Sequence, residues 1–209
     1  MHCPRLPGHG TTPEAMLFAG YADWLRCAED AFTSLARAGR PVVIVGLSMG
    51  ALLGMILASR HRGRLAGLAM LAPVVKLRGR GPTALKALRW LPVFDAAPRW
   101  VEKDGTDIED DEVRAAAPVL PRYPLARAFD LFALQGLARD AEARIGCPSL
   151  VIGAVNDHVV DTDAVLALQT RLPFSQRVVL QRGFHIIPRD VDRALAISEV
   201  AHFIDRVAT

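Results

Sequence analysis

Residues 41–60 constrain the fold more than any other stretch of this sequence. A short, apolar and β-branched run at 41–45 leads into Gly46-Leu47-Ser48-Met49-Gly50, and an Ala/Leu-rich stretch follows to Arg60. Such a run is typical of a strand buried on both faces of a parallel sheet. We therefore predict a strand, a sharp turn at Ser48 and a helix over 49–60. Bulky residues two positions before and after Ser48 would collide, so we expect the turn to require Gly46 and Gly50.

The same alternation of strand and helix continues along the chain. Strands are predicted at 65–71, 149–153 and 177–180, and helices at 21–38, 162–172 and 191–207. Strands that alternate with helices indicate a doubly wound, mostly parallel α/β sheet that helices cover on both faces. Six prolines and an acidic cluster interrupt this rhythm between 74 and 143. We therefore predict a single domain over 1–209, with a helical cap inserted at about 76–143.

Composition excludes several classes of protein. With 51% hydrophobic and 22% charged residues the chain is globular, and no apolar run reaches the roughly 20 residues of a membrane span. The net charge of +3 and the lack of interleaved aromatics argue against nucleic-acid binding, although a transient contact with a lipid surface is compatible with them. Cys3, Cys27 and Cys147 are odd in number and have no metal-ligand spacing. Reduced thiols and the absence of a signal-peptide pattern predict a cytoplasmic protein without a bound metal.

Ser48 is the candidate nucleophile, because a serine on a strand–helix turn presents its hydroxyl above the sheet edge. A serine hydroxyl needs a base. His185 lies in the segment 183–187, between the last strand and the last helix, and so reaches the carboxyl edge of the sheet beside Ser48. The other histidines lie in contexts that favour a surface, packing or loop role: His2, His9, His61, His158 and His202.

Asp157 is the candidate acid that orients the base. It follows the strand at 149–153 and lies on the same edge, and the order Ser48, Asp157, His185 is the order that this type of sheet uses. Asp161 and Asp163 remain alternatives, with Asp161 the better candidate for a helix cap. The backbone N–H of Met49, at the start of the following helix, is the expected oxyanion donor.

These segments together resemble the carboxylesterases and monoacylglycerol lipases of the α/β-hydrolase superfamily over essentially the whole chain. The matching segments are Leu6-Pro7-Gly8-His9-Gly10, Pro13-Glu14, Trp24, residues 46–50, Ala72-Pro73, Tyr123-Pro124-Leu125, residues 156–160 and residues 183–187. The resemblance implies Ser48 as nucleophile, Asp157 as acid and His185 as base. It also implies a small-molecule ester or acylglycerol substrate held under the cap, and no cofactor. We also expect three residues to line the substrate site: His9, Leu47 and Val159.

The sequence departs from this family at its start. Members carry a strand and a His-Gly segment before the Gly-His-Gly loop, and that segment supplies a second oxyanion donor. Here the loop stands at 8–10, so we expect an N-terminally shortened fold, either a truncated product or a reduced variant. Losing one such donor costs roughly two to three orders of magnitude in rate. The alternatives are therefore a binding module on a degenerate hydrolase scaffold, or another reaction of this fold such as acyl transfer or C–C bond hydrolysis.

Overall fold

A four-stranded parallel sheet forms the centre of the molecule. The computed structural model describes residues 1–79, 81–82, 85, 99–103 and 105–208. With strands numbered along the chain, the sheet contains β1 (Val42–Leu47), β2 (Leu65–Leu71), β5 (Ser149–Ala154) and β6 (Ser175–Leu180), in the order β1-β2-β5-β6. All its neighbouring strands run parallel. The predicted mostly parallel sheet is confirmed, with each strand within two residues of its expected limits.

A second, two-stranded sheet was not expected from the sequence. β3 (Trp100–Glu102) pairs antiparallel with β4 (Arg122–Pro124). The guanidinium of Arg122 lies 4.4 Å from the centre of the Trp100 ring, a cation–π distance. Three residues per strand is too short a run for hydrophobic alternation to be recognised.

The helices agree with the predicted pattern, except that one is divided. Those whose bounds the described residues give are α1 (Tyr21–Ala36), α2 (Met49–Arg60), α3 (Asp111–Ala115), α4 (Leu125–Ala141), α5 (Thr162–Leu166), α6 (Leu168–Arg171) and α7 (Arg193–Val207), with 3₁₀ turns at Pro13–Phe18, Glu142–Arg144 and Ile187–Arg189. The single helix predicted over 162–172 is the pair α5 and α6, separated by Ala167.

Two glycines show that helices cover both faces of the sheet. Neighbouring residues of a strand point to opposite faces. The side chain of Leu68 in β2 approaches Gly54 of α2, where an added Cβ would lie 2.7 Å from Leu68 Cδ1. Its neighbour Gly67 faces α7 instead, since a Cβ there would lie 2.9 Å from the Phe203 ring. The two helices therefore pack closely on opposite sides of β2, as a doubly wound fold requires.

The predicted cap lies partly outside the described residues, which omit 80, 83–84, 86–98 and 104. Within the described part of that range, α4 packs against α2, with Leu134 and Ala138 fully buried. Part of the predicted cap range therefore packs against a helix that covers the sheet. The limits of the cap and the single-domain organisation stay predictions.

Among the described residues, no helix combines the length and the apolar character that crossing a bilayer requires. The three cysteines form no disulfide. The cytoplasmic location stays a prediction.

Candidate active site

Ser48 occupies a strained turn between β1 and α2. Its φ of 54° and ψ of −114° lie in a region that residues with a Cβ rarely adopt. Its N–H donates to the carbonyl of Leu71 at 2.8 Å, at the end of the neighbouring strand β2. Ala72, the residue directly after β2, also has a positive φ of 41°. The backbone is thus strained at two adjacent strand ends, both on the carboxyl edge of the sheet.

The expected collision at this turn holds for Gly46 and is wrong for Gly50. A Cβ on Gly46 would lie 2.5 Å from the carbonyl carbon and oxygen of Gly50 and 2.6 Å from the nitrogen of Ala51. A Cβ on Gly50 would meet nothing within 4 Å among the described residues. The asymmetry arises because the backbone of α2 fills the space beside Gly46, whereas the Cβ direction at Gly50 is open.

Ser48, His185 and Asp157 form a continuous hydrogen-bonded chain. His185 Nε2 lies 2.9 Å from Ser48 Oγ, and His185 Nδ1 lies 2.8 Å from Asp157 Oδ2. His185 is 5% exposed and Asp157 is 0% exposed, so water competes little for either contact. The three residues come from the carboxyl ends of β1, β5 and β6. This geometry suits proton transfer from the serine hydroxyl to the imidazole.

The second oxygen of Asp157 is held by its own loop. Oδ1 accepts the N–H groups of Val159 and Val160, both at 2.8 Å. Val159 was expected to line the substrate site; the structure shows this hydrogen bond, a second one from the N–H of Arg78 to its carbonyl at 2.9 Å, and packing against the core, and its role at the substrate stays a prediction. Arg78 Nη1 also donates to the carbonyl oxygen of Asp157 at 2.6 Å. The hydrogen bonds from Val159 and Val160 therefore hold the carboxylate in addition to its contact with His185.

The alternative acids are placed elsewhere. Asp161 Oδ1 caps α5 by accepting the N–H of Ala164 at 3.0 Å, and its other oxygen pairs with Lys76. The hydrogen bond from Lys76, together with that from Ala164, lowers the pKa of Asp161. Asp163 is exposed on α5. Neither of these carboxylates contacts His185, whereas Asp157 does.

Met49, the predicted oxyanion donor, is the first residue of α2. The first N–H groups of a helix have no carbonyl partner within that helix, and they lie at the positive end of its dipole. The Met49 N–H follows directly on Ser48, so it is available to an oxygen that develops negative charge near Ser48 Oγ. Its role as oxyanion donor stays a prediction.

A cavity of about 580 Å³ is large enough for a small-molecule substrate. It adjoins residues 181–192, the loop between β6 and α7 that we call the base loop because it carries the candidate base His185. The cavity is lined by His9, Met16, Ile108, Leu120, Tyr123 and Ile186, among others. Burial raises the pKa of Tyr123 and lowers that of Lys103, which stands at the same cavity. His9 lines this cavity, and its role at the substrate stays a prediction. Leu47 lines a separate groove along β1.

Sequence reasoning missed the carboxylates that organise the base loop. Asp190 is fully buried and accepts four backbone N–H groups, those of Glu109, Asp110, Phe184 and Val191. Burial alone would raise its pKa, but these hydrogen bonds outweigh burial and lower it. Asp192 likewise accepts the N–H groups of Arg182 and Gly183. No signal in the sequence identified these partners, because the two aspartates stand among Arg182, Arg189 and Arg193.

The other histidines take no part in this hydrogen-bonded chain. His61 pairs with Glu29 at 2.8 Å, and His158 pairs with Asp107 at 2.8 Å. His2 and His202 are exposed. Within the described residues no cluster of three or more His, Cys, Asp or Glu side chains could hold a metal ion.

Comparison with known proteins places this geometry in a family. The model of the alpha/beta hydrolase family matches residues 1–202. The chain is 27% identical to a thermostable monoacylglycerol lipase of Bacillus sp. (strain H-257), over 98% of this chain and 79% of that protein. It is 20% identical to a carboxylesterase of Bacillus subtilis (strain 168), over 99% and 81%.

A solved structure from work on LipS and LipT, two metagenome-derived lipolytic enzymes, superimposes with a TM-score of 0.84 and 26% identity, covering 97% of this chain and 80% of that one. The monoacylglycerol lipase of Paleococcus ferrophilus shares the fold, with a TM-score of 0.71 and 13% identity over 89% of this chain and 75% of that one.

Proposed function

This chain belongs to the alpha/beta hydrolase family, and we propose that it hydrolyses carboxylic esters of small molecules through a triad of Ser48, His185 and Asp157. One observation carries the proposal above all others. The serine hydroxyl, the imidazole and the buried carboxylate are joined by hydrogen bonds of 2.9 and 2.8 Å. The similarity to a monoacylglycerol lipase and to a carboxylesterase supports an ester as the substrate.

The first half of the reaction forms an acyl-enzyme. Ser48 Oγ attacks the acyl carbonyl carbon while its proton passes to His185 Nε2. The N–H of Met49 donates to the carbonyl oxygen as it becomes an oxyanion. The tetrahedral intermediate then collapses, His185 returns the proton to the ester oxygen, and the alcohol leaves.

The second half uses water in place of the alcohol. His185 removes a proton from a water molecule, the hydroxide attacks the acyl carbon, and the carboxylic acid is released as Ser48 recovers its proton. Asp157 accepts the Nδ1–H of His185 throughout, which keeps Nε2 free to act as a base and stabilises the imidazolium. Because Val159 and Val160 hold the other carboxylate oxygen, Asp157 does not need to reorient during either step.

The substrate class is a neutral ester or acylglycerol with an apolar acyl chain. The cavity beside the base loop is lined mainly by apolar side chains, and its volume of about 580 Å³ lies in the usual range for small-molecule sites. Apolar walls favour an acyl chain, since burying it removes hydrocarbon surface from water.

A fluorophosphonate probe and a p-nitrophenyl ester test the proposal. We expect the wild-type chain to be labelled at one serine and to turn over the ester. Ser48→Ala abolishes labelling and lowers kcat by about four orders of magnitude or more, and His185→Ala does nearly the same. Ser34→Ala is the matched control, because Ser34 is an exposed serine on α1. Equal labelling of the wild type and Ser48→Ala would contradict the assignment, and ester binding without turnover would favour a binding module.

A further inference from the structure

The position of His185 depends on contacts from outside its own loop. The residue lies between the end of β6 at Leu180 and a 3₁₀ turn that begins at Ile187, and this short segment contains no regular secondary structure. Asp157 lies on another loop, after β5. The two loops must nonetheless be fixed relative to each other, because an error of about 1 Å in such a site costs roughly a hundredfold in rate.

A single carboxylate, that of Asp107, binds both loops. Its Oδ2 accepts the backbone N–H of His185 at 3.1 Å and the backbone N–H of His158 at 3.0 Å. His158 is the residue directly after Asp157, so the two donors belong to the base and to the immediate neighbour of the acid. One oxygen atom therefore links the two loops that carry the base and the acid.

Asp107 has further contacts that fix its own position. Its Oδ1 lies 2.8 Å from His158 Nδ1, and its backbone carbonyl accepts the N–H of Ile186 at 3.1 Å. Its side chain is only 16% exposed, so the hydrogen bonds are partly shielded from water. Edge-to-face contact between the rings of His158 and Phe184, at 4.5 Å, joins the same two loops again.

Asp190 completes a reciprocal arrangement with Asp107. Asp107 binds backbone groups of the base loop. In return Asp190, near the C-terminal end of that loop, accepts the backbone N–H groups of Glu109 and Asp110. The segment 107–110 and the base loop thus each contribute a carboxylate to the backbone of the other. Since both partners are held at two or more points, neither can shift without breaking charge-assisted hydrogen bonds.

We infer that Asp107 is a positioning residue, which holds His185 and Asp157 at their working separation by binding the backbone of both loops through one oxygen. The inference rests on the proposed function, since the separation matters only if His185 is the base. Asp107 touches neither the substrate nor the reacting atoms. It acts through the backbone of the base loop, so it affects the proton-transfer steps and leaves substrate binding unchanged.

Four variants separate this role from a merely structural one. Asp107→Ala removes both oxygens, whereas Asp107→Asn keeps one oxygen that can accept both N–H groups. His158→Ala removes the side-chain partner of Asp107 and leaves the backbone N–H of residue 158 in place. Asp111→Ala, at an exposed aspartate of the same acidic stretch, controls for loss of negative charge.

We expect Asp107→Ala to lower kcat by about 10- to 100-fold with KM within about twofold of the wild type, in line with a displaced base. The rate of fluorophosphonate labelling falls in parallel. Asp107→Asn restores kcat to within about threefold of the wild type, and Asp111→Ala stays within the same range. His158→Ala, which removes one partner of Asp107 and the ring contact with Phe184 but keeps the backbone N–H, gives a smaller loss of kcat than Asp107→Ala. A folded Asp107→Ala with wild-type kcat, or one in which KM alone changes, would overturn the inference. If Asp107→Ala does not fold, Asp107→Ser replaces it, since the serine oxygen lies one bond closer to its own backbone than Oδ2 and does not reach the two N–H groups.

Amide hydrogen exchange tests the link without relying on turnover. We expect the N–H groups of His185 and His158 to be protected in the wild type and in Asp107→Asn, and to exchange at least tenfold faster in Asp107→Ala. If the wild type turns over no ester but shows this pattern, the proposed function fails and the link between the loops stands. If exchange at both residues is the same in all variants, the link itself is wrong.

Discussion

Residues 46–50, the turn that carries Ser48 (the nucleophile turn), and the base loop at 181–192 lie at the same edge of the sheet but are held by different kinds of contact. At the turn, the steric contacts join residues within five positions of one another, such as Gly46 with the backbone of Gly50 and Ala51, and one backbone hydrogen bond, from Ser48 to Leu71, reaches the neighbouring strand. At the base loop, the hydrogen bonds to Asp107 and from Glu109 to Asp190 span 78 and 81 residues along the chain. The Ser48 hydroxyl is therefore positioned mainly by local steric constraints, and the His185 imidazole mainly by contacts between segments that are far apart in the sequence.

The largest expected effect tests the local side of this comparison. Gly46→Ala places a Cβ 2.5 Å from backbone atoms of Gly50, and backbone atoms at the start of α2 cannot move aside without displacing Ser48. We expect activity to fall by at least about a hundredfold. We also expect the free energy of unfolding to drop by about 1–3 kcal/mol, as for other overpacked sites. Ester turnover and urea unfolding measure the two effects.

Gly50→Ala is the matched control for that change. A Cβ there meets no described atom within 4 Å, and alanine is a better helix former than glycine by up to about 1 kcal/mol. We expect its stability to be equal to or higher than that of the wild type and its turnover to stay within about threefold. If both variants were equally damaged, the asymmetry at the turn would be wrong.

The second effect tests the long-range side. Asp190→Asn removes the charge from a fully buried group that accepts four backbone N–H groups, and its amide nitrogen would face N–H donors. Because hydrogen bonds to a charged group are each worth about 1.5–3 kcal/mol, we expect the free energy of unfolding to fall by about 2–4 kcal/mol. Chemical denaturation measures the change. Asp205→Asn, at an exposed position on α7, should change stability by less than about 0.5 kcal/mol.

The same difference explains what sequence could predict about this molecule. Local signals, namely apolar runs and the glycines that interrupt them, predict helix α2 and the strands β1, β2, β5 and β6. Ser48, Asp157 and His185 could be proposed because each stands just after a predicted strand, and parallel strands bring their carboxyl ends to one edge.

The other features of the site depend on contacts between residues that are far apart in the sequence, and no local pattern encodes these contacts. Asp107 and Asp190 are ordinary aspartates in sequence, and their hydrogen-bond partners lie on other loops. The open space at Gly50 also could not be predicted, because it depends on what lies beside α2 in the fold. The division between α5 and α6 is a smaller miss of the same kind, since the apolar pattern continues across Ala167.

A third prediction uses pH to measure the contribution of Asp190. Its backbone hydrogen bonds lower its pKa in the folded state, relative to an unfolded value of about 3.9. A carboxyl group with a lowered folded pKa stabilises the protein above the unfolded pKa, and that stabilisation is lost as pH falls through the folded pKa. We therefore expect the stability difference between wild type and Asp190→Asn to be full near pH 7 and to shrink below about pH 4.

Thermal unfolding from pH 7 down to pH 3 provides the measurement, with Asp205→Asn as the reference. A difference between wild type and Asp190→Asn that stayed constant over this range would show that the charge of Asp190 contributes nothing. The effect would then arise from packing alone.

The smallest effect lies at Asp161, where local and long-range contacts meet in one side chain. Its Oδ1 caps α5 through the N–H of Ala164, three residues away, and its other oxygen pairs with Lys76, 85 residues away. Lys76 is 65% exposed, so solvent weakens that ion pair, which is worth about 0–1 kcal/mol. We expect Asp161→Ala to lower the free energy of unfolding by about 1 kcal/mol, as for a lost cap, and Lys76→Ala by less than half of that. The opposite ranking would mean that at this loop too the distant partner outweighs the local one. Long-range contacts would then hold the loop after β5, which carries Asp157, as they hold the base loop. The nucleophile turn would be the one part of the site held mainly by local contacts.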